Sequence, residues 1–301
     1  MKRAGAILSL LLAVMLLVVV LTGACAAAES DSPPEFKLVT FGVNEDYDKN
    51  QDLKDIEKDF QLMKKLEIDE IRVSFGWDDY EPERGEYDFA WLHEFAGLAE
   101  KYDVKLHPYI CYTAPWAART GNWNSAPKDF EDWYNFCYNL SKEMAVHPSI
   151  VSWEIWNEQD LLSESPDNGW WDGSIQDFLI LLNRGSKAVR AGDPDATILI
   201  GGFSMPWWHR DFVREIDYTG YGRFYDVFPI HCYIESWWET GQGIEELFGR
   251  QYRWFVQRYQ NAVGDKPVWI NEIGFSTLEK SENQRANYMA RAVASLFSQP
   301  Q

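Results

Sequence analysis

Short apolar runs alternate along this chain with segments in which apolar residues recur at spacings of three and four. The runs Phe36–Val43, Glu70–Phe75, Lys105–Cys111, Ile150–Asn157, Thr197–Gly201, Val227–Tyr233 and Val268–Asn271 read as β-strands. After the first strand, Leu53, Ile56, Phe60, Met63 and Leu66 form one apolar helical face. Further helices are expected near Trp91–Lys101 and over Phe130–Val146, Ile175–Arg190, Trp208–Ile216, Ile244–Ala262 and Glu282–Phe297. Gly192-Asp193-Pro194 stops the helix that ends at Arg190, since glycine suits a C-cap and proline cannot continue a helix.

Strand–helix units of this length require parallel pairing with helical crossovers. No glycine-rich phosphate loop follows the first strand, where a dinucleotide-binding sheet would place it. Polar residues gather instead at many strand ends, as at the catalytic face of a barrel. The expected fold is an α/β (β/α)8 TIM barrel over residues 36–301 that lacks its eighth βα unit, because the sequence stops before one. Strands one and seven of such an incomplete barrel would leave backbone edges unpaired.

The N-terminus departs from this rhythm. Lys2 and Arg3 precede an apolar stretch from Ala4 to Leu21 and then small residues, the layout of an export signal over residues 1–28. Leu21-Thr22-Gly23-Ala24-Cys25 is similar to a bacterial lipobox and predicts a lipoprotein with a membrane tether through Cys25. Soluble secretion and an uncleaved membrane anchor are the alternatives. Residues 29–35 read as a solvated linker. Of the remaining cysteines, Cys111, Cys137 and Cys232 cannot all pair and show no metal-ligand spacing; buried small hydrophobes are expected. A net charge of −19 argues against a nucleic-acid partner, whose phosphates need clustered Lys and Arg.

The chemistry concentrates at two strand ends. Trp153-Glu154-Ile155-Trp156-Asn157-Glu158 closes the fourth strand and Trp269-Ile270-Asn271-Glu272 the seventh, each delivering an Asn-Glu pair. Two opposed carboxylates can cleave a glycosidic bond: one holds a proton for the leaving oxygen, the other is ionised. A gap of about 5–5.5 Å allows a covalent intermediate and retention, and about 6.5–9.5 Å admits water and gives inversion. Either glutamate in isolation could equally cap a helix or pair with an arginine. Glu154 alternates onto the side of Trp156 and Glu158, where a structural role is expected.

With these residues in this order, the chain resembles the retaining glycoside hydrolases of the large (β/α)8 clan A, the clan of the cellulase and β-xylosidase families. That resemblance implies Glu158 as general acid/base, Glu272 as nucleophile, and Asn157 as partner of the sugar 2-hydroxyl. It places Arg72, at the second strand end, beside the nucleophile. It matches His231-Cys232-Tyr233 to a His-x-Tyr whose tyrosine contacts the nucleophile. Tyr80-Glu81-Pro82-Glu83-Arg84-Gly85-Glu86-Tyr87-Asp88-Phe89 is similar to the loop after the second strand in several of these families. Gln159 stands where they often have proline, and the platform tryptophan of their eighth strand has no counterpart. Arg72 could also be a barrel ion pair, and His231 and Tyr233 satisfied core polar groups.

The 15 tryptophans bear on the ligand, because sugar rings present flat C–H faces to aromatic planes. Trp116 and Trp123 follow the third strand, Trp170-Trp171 the fourth, Trp207-Trp208 the fifth and Trp237-Trp238 the sixth. Trp116, Trp171 and Trp237 are the candidate sugar-binding residues; packing of the long loops is the competing use. The expected activity is hydrolysis of a β-linked poly- or oligosaccharide, with a carbohydrate-binding barrel of impaired catalysis as the alternative. No cofactor is expected, and no metal: His-x-His and His-Glu-x-x-His spacings are absent.

Overall fold

The computed structural model describes residues 40–163, 169–204, 210–233, 264, 266–276 and 280–297. The expected leader, linker and Cys25, the helix over 244–262, and Trp207, Trp208, Trp237 and Trp238 lie outside them.

The chain alternates β1 (Gly42–Asn44), α1 (Leu53–Lys65), β2 (Glu70–Gly76), the short α2 (Trp77–Tyr80), α3 (Ala90–Lys101), β3 (Lys105–Cys111), α4 (Phe130–Met144), β4 (Ser152–Ile155), α5 (Ile175–Gly192) and β5 (Thr197–Ile200). Then follow α6 (Arg210–Tyr218), a 3₁₀ turn (Tyr221–Phe224), β6 (Phe228–His231), β7 (Val268–Glu272) and α7 (Glu282–Phe297). Strands β1 to β5 pair in chain order, all parallel, and β6 pairs parallel with β7. Bridges Leu199–Val227 and Phe203–Ile230 join β5 to β6. No eighth strand lies among the described residues.

The helices form where amphipathic faces coincide with capping residues. Asp52 accepts from the Lys54 amide ahead of α1, and Ser174 with Asp177 makes a reciprocal capping box for α5. On α1 the residues Ile56, Phe60 and Met63 are buried, while Leu66, the last of the expected apolar face, is exposed beyond the helix. Helices α4 and α5 pack with the Trp133 indole donating to the Leu181 carbonyl at 3.1 Å. Cys111, Cys137 and Cys232 are buried and unpaired.

Contacts across the sheet interior show its curvature. A flat sheet would separate β2 from β7 by five strand spacings, about 24 Å. Instead Arg72 on β2 reaches Glu272 on β7 at 2.9 Å, and His107 on β3 meets Trp269 on β7 edge-on at 5.6 Å. The strands therefore wrap around an interior filled by Arg72, Tyr109, Glu154, Asn271 and His107, as in a (β/α) barrel.

Two local departures from strand geometry shape the functional end. The expected strand 150–157 stops at Ile155, because Trp156 adopts φ +77° and Glu158 φ +49°, both left-handed. Alternation is thereby broken. Trp156 does not share the interior side with Glu154; it packs against Trp133 and Trp171, and Asn157 takes the inward position. On β7, His231 pairs with Glu272 while Ile230 pairs with Ile270, so Asn271 is the extra residue of a bulge. That bulge lets consecutive Asn271 and Glu272 both face the interior.

Candidate active site

Arg72 is the hub. Its Nε and Nη2 donate to Glu154 at 2.8 and 3.0 Å, Nη2 also to Asn157 Oδ1 at 2.6 Å, and Nη1 to Glu272 Oε2 at 2.9 Å and Asn44 Oδ1 at 3.3 Å. All five guanidinium protons are thus used. Burial alone would lower its basicity, but the charge and hydrogen bonds of Glu154, followed by the charge of Glu272, outweigh it and hold the cation. Tyr109 stacks on the guanidinium at 4.0 Å. Glu154 accepts two further bonds, from the Gly202 amide at 2.7 Å and Asn271 Nδ2 at 2.8 Å. Its structural role is therefore to neutralise and orient Arg72.

Glu158 and Glu272 face each other beside His231. His231 Nδ1 lies 2.8 Å from Glu158 Oε1 and 3.5 Å from Glu272 Oε2, and one oxygen of each carboxylate falls within 4.8 Å of the other. His231 is fully buried and, among the described residues, its Nε2 has no hydrogen-bond partner; with the ring proton on Nδ1 it donates to Glu158. The Tyr233 hydroxyl donates a short bond to Glu272 Oε1. Burial, then the Glu272 charge, raises the Tyr233 phenol well above its ordinary value and keeps that proton in place. Asn157 Nδ2 donates to the Tyr112 hydroxyl at 3.0 Å.

The end of β5 completes the frame. A Cβ on Gly202 would lie 2.1 Å from His231 Nε2, and one on Gly201 2.1 Å from Gln159 Oε1. Only glycines allow β4, β5 and β6 to approach this closely. Gln159 donates to the Gly201 carbonyl at 2.7 Å, and the Glu158 amide to Gly202 at 2.9 Å. The residue that departs from the usual proline thus ties the Glu158 turn to β5.

The tryptophan candidates separate. Trp171 is fully buried, edge-on to Trp156 and Phe178, and offers no face to a ligand. Trp116 is half-buried, with its indole donating to the Glu81 carbonyl at 2.8 Å and its ring edge-on to Trp77. Among the described residues the exposed indoles are Trp123 and Trp170. Sequence reasoning gave Asn44, Tyr112 and Gly202 no role in the site. The polar residue ending β1 and the Gly-Gly doublet at a strand end were signals for two of them; Tyr112 carried none.

Glu158, His231 and Glu272 are spaced as a divalent ion could use them. Both Glu272 oxygens, however, are already engaged by Arg72 and Tyr233, and the buried guanidinium repels a second cation. The arrangement suits paired-carboxylate chemistry better than metal ligation.

Comparison with known proteins agrees with this geometry. The sequence model of the glycoside hydrolase family 42 β-galactosidases matches residues 46–120. The chain is 26% identical over 123 residues to β-galactosidase BbgII of Bifidobacterium bifidum, covering 33% of this chain and 18% of that protein. It is 20% identical over 281 residues to β-galactosidase Pbg of Clostridium perfringens, covering 73% of this chain and 40% of that one. The chain therefore spans less than half the length of these curated relatives. Among solved structures, a family 39 glycoside hydrolase from Bacteroides cellulosilyticus WH2 superimposes with a TM-score of 0.64 at 21% identity, over 85% of this chain and 53% of that one. A GH5_18 protein from Streptomyces cattleya in complex with Manb1-4GlcNAc gives 0.70 at 15% identity, over 87% and 69%. The fold is the (β/α) barrel of the clan A glycoside hydrolases.

Proposed function

We propose that this protein is a retaining β-glycosidase in which Glu158 is the general acid/base and Glu272 the nucleophile. The observation that carries this is the close approach of the two carboxylates across His231, with oxygens within 4.8 Å. Such an approach goes with the gap of about 5–5.5 Å in retaining pairs rather than about 6.5–9.5 Å in inverting ones. His231 donates to Glu158 Oε1, leaving Oε2 to carry the proton for the glycosidic oxygen. Arg72 and Tyr233 stabilise the negative charge of Glu272 and aim it.

In the first step Glu272 attacks the anomeric carbon while Glu158 protonates the leaving oxygen; the glycosidic C–O bond breaks and a glycosyl ester forms. In the second, Glu158 takes a proton from water, whose oxygen displaces Glu272, so configuration is retained. Asn157, held between Arg72 and Tyr112, is in this reading the partner of the 2-hydroxyl. The printed names of the relatives make β-galactosides the first substrates to test, with β-mannosides and β-xylosides beside them. Export, with a lipid anchor at Cys25, belongs to the same reading and is tested by metabolic labelling with a fatty acid.

The deciding experiment is Glu272→Ala on aryl β-glycosides. Turnover should fall on the order of 10⁴-fold or more, and azide should restore part of it as a glycosyl azide of inverted anomer. Wild-type rates in that variant would remove the nucleophile assignment. Sugar binding without any hydrolysis by the wild type would favour a binding barrel.

A further inference from the structure

The Asn157 amide is gripped at both ends. Arg72 can only donate, so the atom it meets at 2.6 Å is Oδ1, and the amide cannot be turned over. Nδ2 therefore faces the other way, and among the described residues its acceptor is the Tyr112 hydroxyl at 3.0 Å. An amide nitrogen carries two protons, so Nδ2 keeps one beyond the bond to Tyr112. Asn157 is 6% exposed and is followed directly by Glu158, so that proton is sheltered from bulk water beside the paired carboxylates. A buried donor of this kind costs free energy unless a ligand accepts it. Tyr112 is itself firmly held. It follows β3 directly, and the Trp156 amide donates to the Ile110 carbonyl at 3.0 Å, carrying the pairing of β3 with β4 one step past the end of β4. The phenol ring meets Trp156 edge-on at 5.2 Å, Trp123 at 4.7 Å and Trp170 at 5.7 Å. Those neighbours are fixed in turn: the Trp156 indole donates to the Trp170 carbonyl at 3.0 Å, and the Thr113 amide to the Trp123 carbonyl at 2.9 Å.

We propose that Tyr112 is a positioning residue: it directs the remaining Nδ2 proton of Asn157 and so makes hydrolysis depend on a hydroxyl beside the anomeric carbon. This rests on the glycosidase reading above, in which Asn157 meets the 2-hydroxyl. Without the Tyr112 oxygen the amide would keep Oδ1 on Arg72 but would swing about that contact, since one hydrogen bond fixes a distance and not a plane. A bond to the 2-hydroxyl that strengthens in the transition state is sensitive to such a tilt. The aromatic setting supplies the precision, because a phenol locked by packing holds its oxygen in one place as a mobile water does not. Burial raises the Tyr112 phenol well above its ordinary value, so the acceptor is a neutral hydroxyl. Among the described residues that hydroxyl makes no hydrogen bond to Glu158 or Glu272, and Asn157 is its route to the reaction.

The test uses the full chain and two substrates: the aryl β-glycoside that the wild type turns over best, and its 2-deoxy analogue. Tyr112→Phe keeps the ring and removes the oxygen. On the 2-hydroxy substrate it should lower kcat about tenfold while KM changes less than about twofold. On the 2-deoxy substrate the same variant should lower kcat less than about twofold. In an Asn157→Ala background Tyr112→Phe should add less than about twofold, because both changes act through one contact. Equal losses on the two substrates, or a full tenfold loss added to that of Asn157→Ala, overturn the proposal. So does an unchanged kcat on the 2-hydroxy substrate in a Tyr112→Phe variant with native circular dichroism. Asn157→Ala alone should erase most of the preference for the 2-hydroxy substrate; a preference left intact overturns the proposal without recourse to Tyr112→Phe. A wild-type chain that hydrolyses no aryl β-glycoside overturns the glycosidase reading itself, and the proposal falls with it.

Discussion

Glu158 and Glu272 sit within one site but are held by different means. Glu158 follows a strand whose residues Ser152 to Ile155 are all buried, and Trp153, Trp156, Trp133 and Trp171 pack around its base. Among the described residues its side chain has one fixed donor, His231. Glu272 ends a strand whose five residues are all only half-buried, and its carboxylate is positioned by Arg72, Tyr233 and His231. One carboxylate is placed by packing, the other by charge. The difference explains the backbone: left-handed Trp156 and Glu158 each cost on the order of 1–3 kcal/mol, which only a dense surround sustains.

The comparison breaks most severely at Arg72. Arg72→Ala leaves Glu154 and Glu272 as buried charges without their cation, and should cost about 3–5 kcal/mol by urea unfolding, with hydrolysis lost alongside. A cost below about 1 kcal/mol would mean that charge does not organise the β7 side. Next, Trp153→Ala removes a ring that is 1% exposed and should cost about 3–5 kcal/mol. The half-buried Trp269 of β7, replaced in the same way, should cost roughly half as much. Equal losses would erase the distinction between the two sides. Smaller again is Gly202→Ala: its Cβ collides with His231, so about 1–3 kcal/mol is expected, and kcat should fall more than KM rises because Glu158 loses its donor. Retained kcat would show that His231 does not orient the acid.

The same division governs what could be read from the sequence. Order and type of the described strands and helices followed from apolar spacing, and Asn157, Glu158, His231, Tyr233 and Glu272 converge because strand ends of a parallel barrel share one face; Arg72 joins them from the third residue of β2, which runs on to Gly76, rather than from the strand end expected. What sequence periodicity missed is local geometry. The turn at Trp156 and the bulge at Asn271 invert side-chain direction by one residue, and no alternation pattern encodes them. Trp171 rather than Trp170 was the expected sugar contact for the same reason: adjacent tryptophans look identical in sequence, and only the turn buries one and exposes the other.

The mildest test concerns Glu70, the first residue of β2, two residues before Arg72. Its carboxylate meets His107 Nε2 and Lys105 Nζ, each at 3.1 Å, and His107 touches Trp269 across the interior. The hydrogen bond from His107 lowers the Glu70 pKa below its ordinary 4.5; burial opposes this and Lys105 adds to it. A carboxylate whose folded value is depressed contributes stability that is fully present above its unfolded value and is lost as pH falls through the folded one. The wild type should therefore lose stability as pH drops below about 4.5, and Glu70→Gln should flatten that part of the profile in urea melts from pH 6 to 3. Because Glu70 bonds His107 and Lys105 rather than either of the paired carboxylates, the relative pH dependence of hydrolysis should keep its shape in this variant. If the acid limb of stability is instead unaltered by Glu70→Gln but removed by Arg72→Ala, the charged cluster at the β7 end alone sets the response to acid.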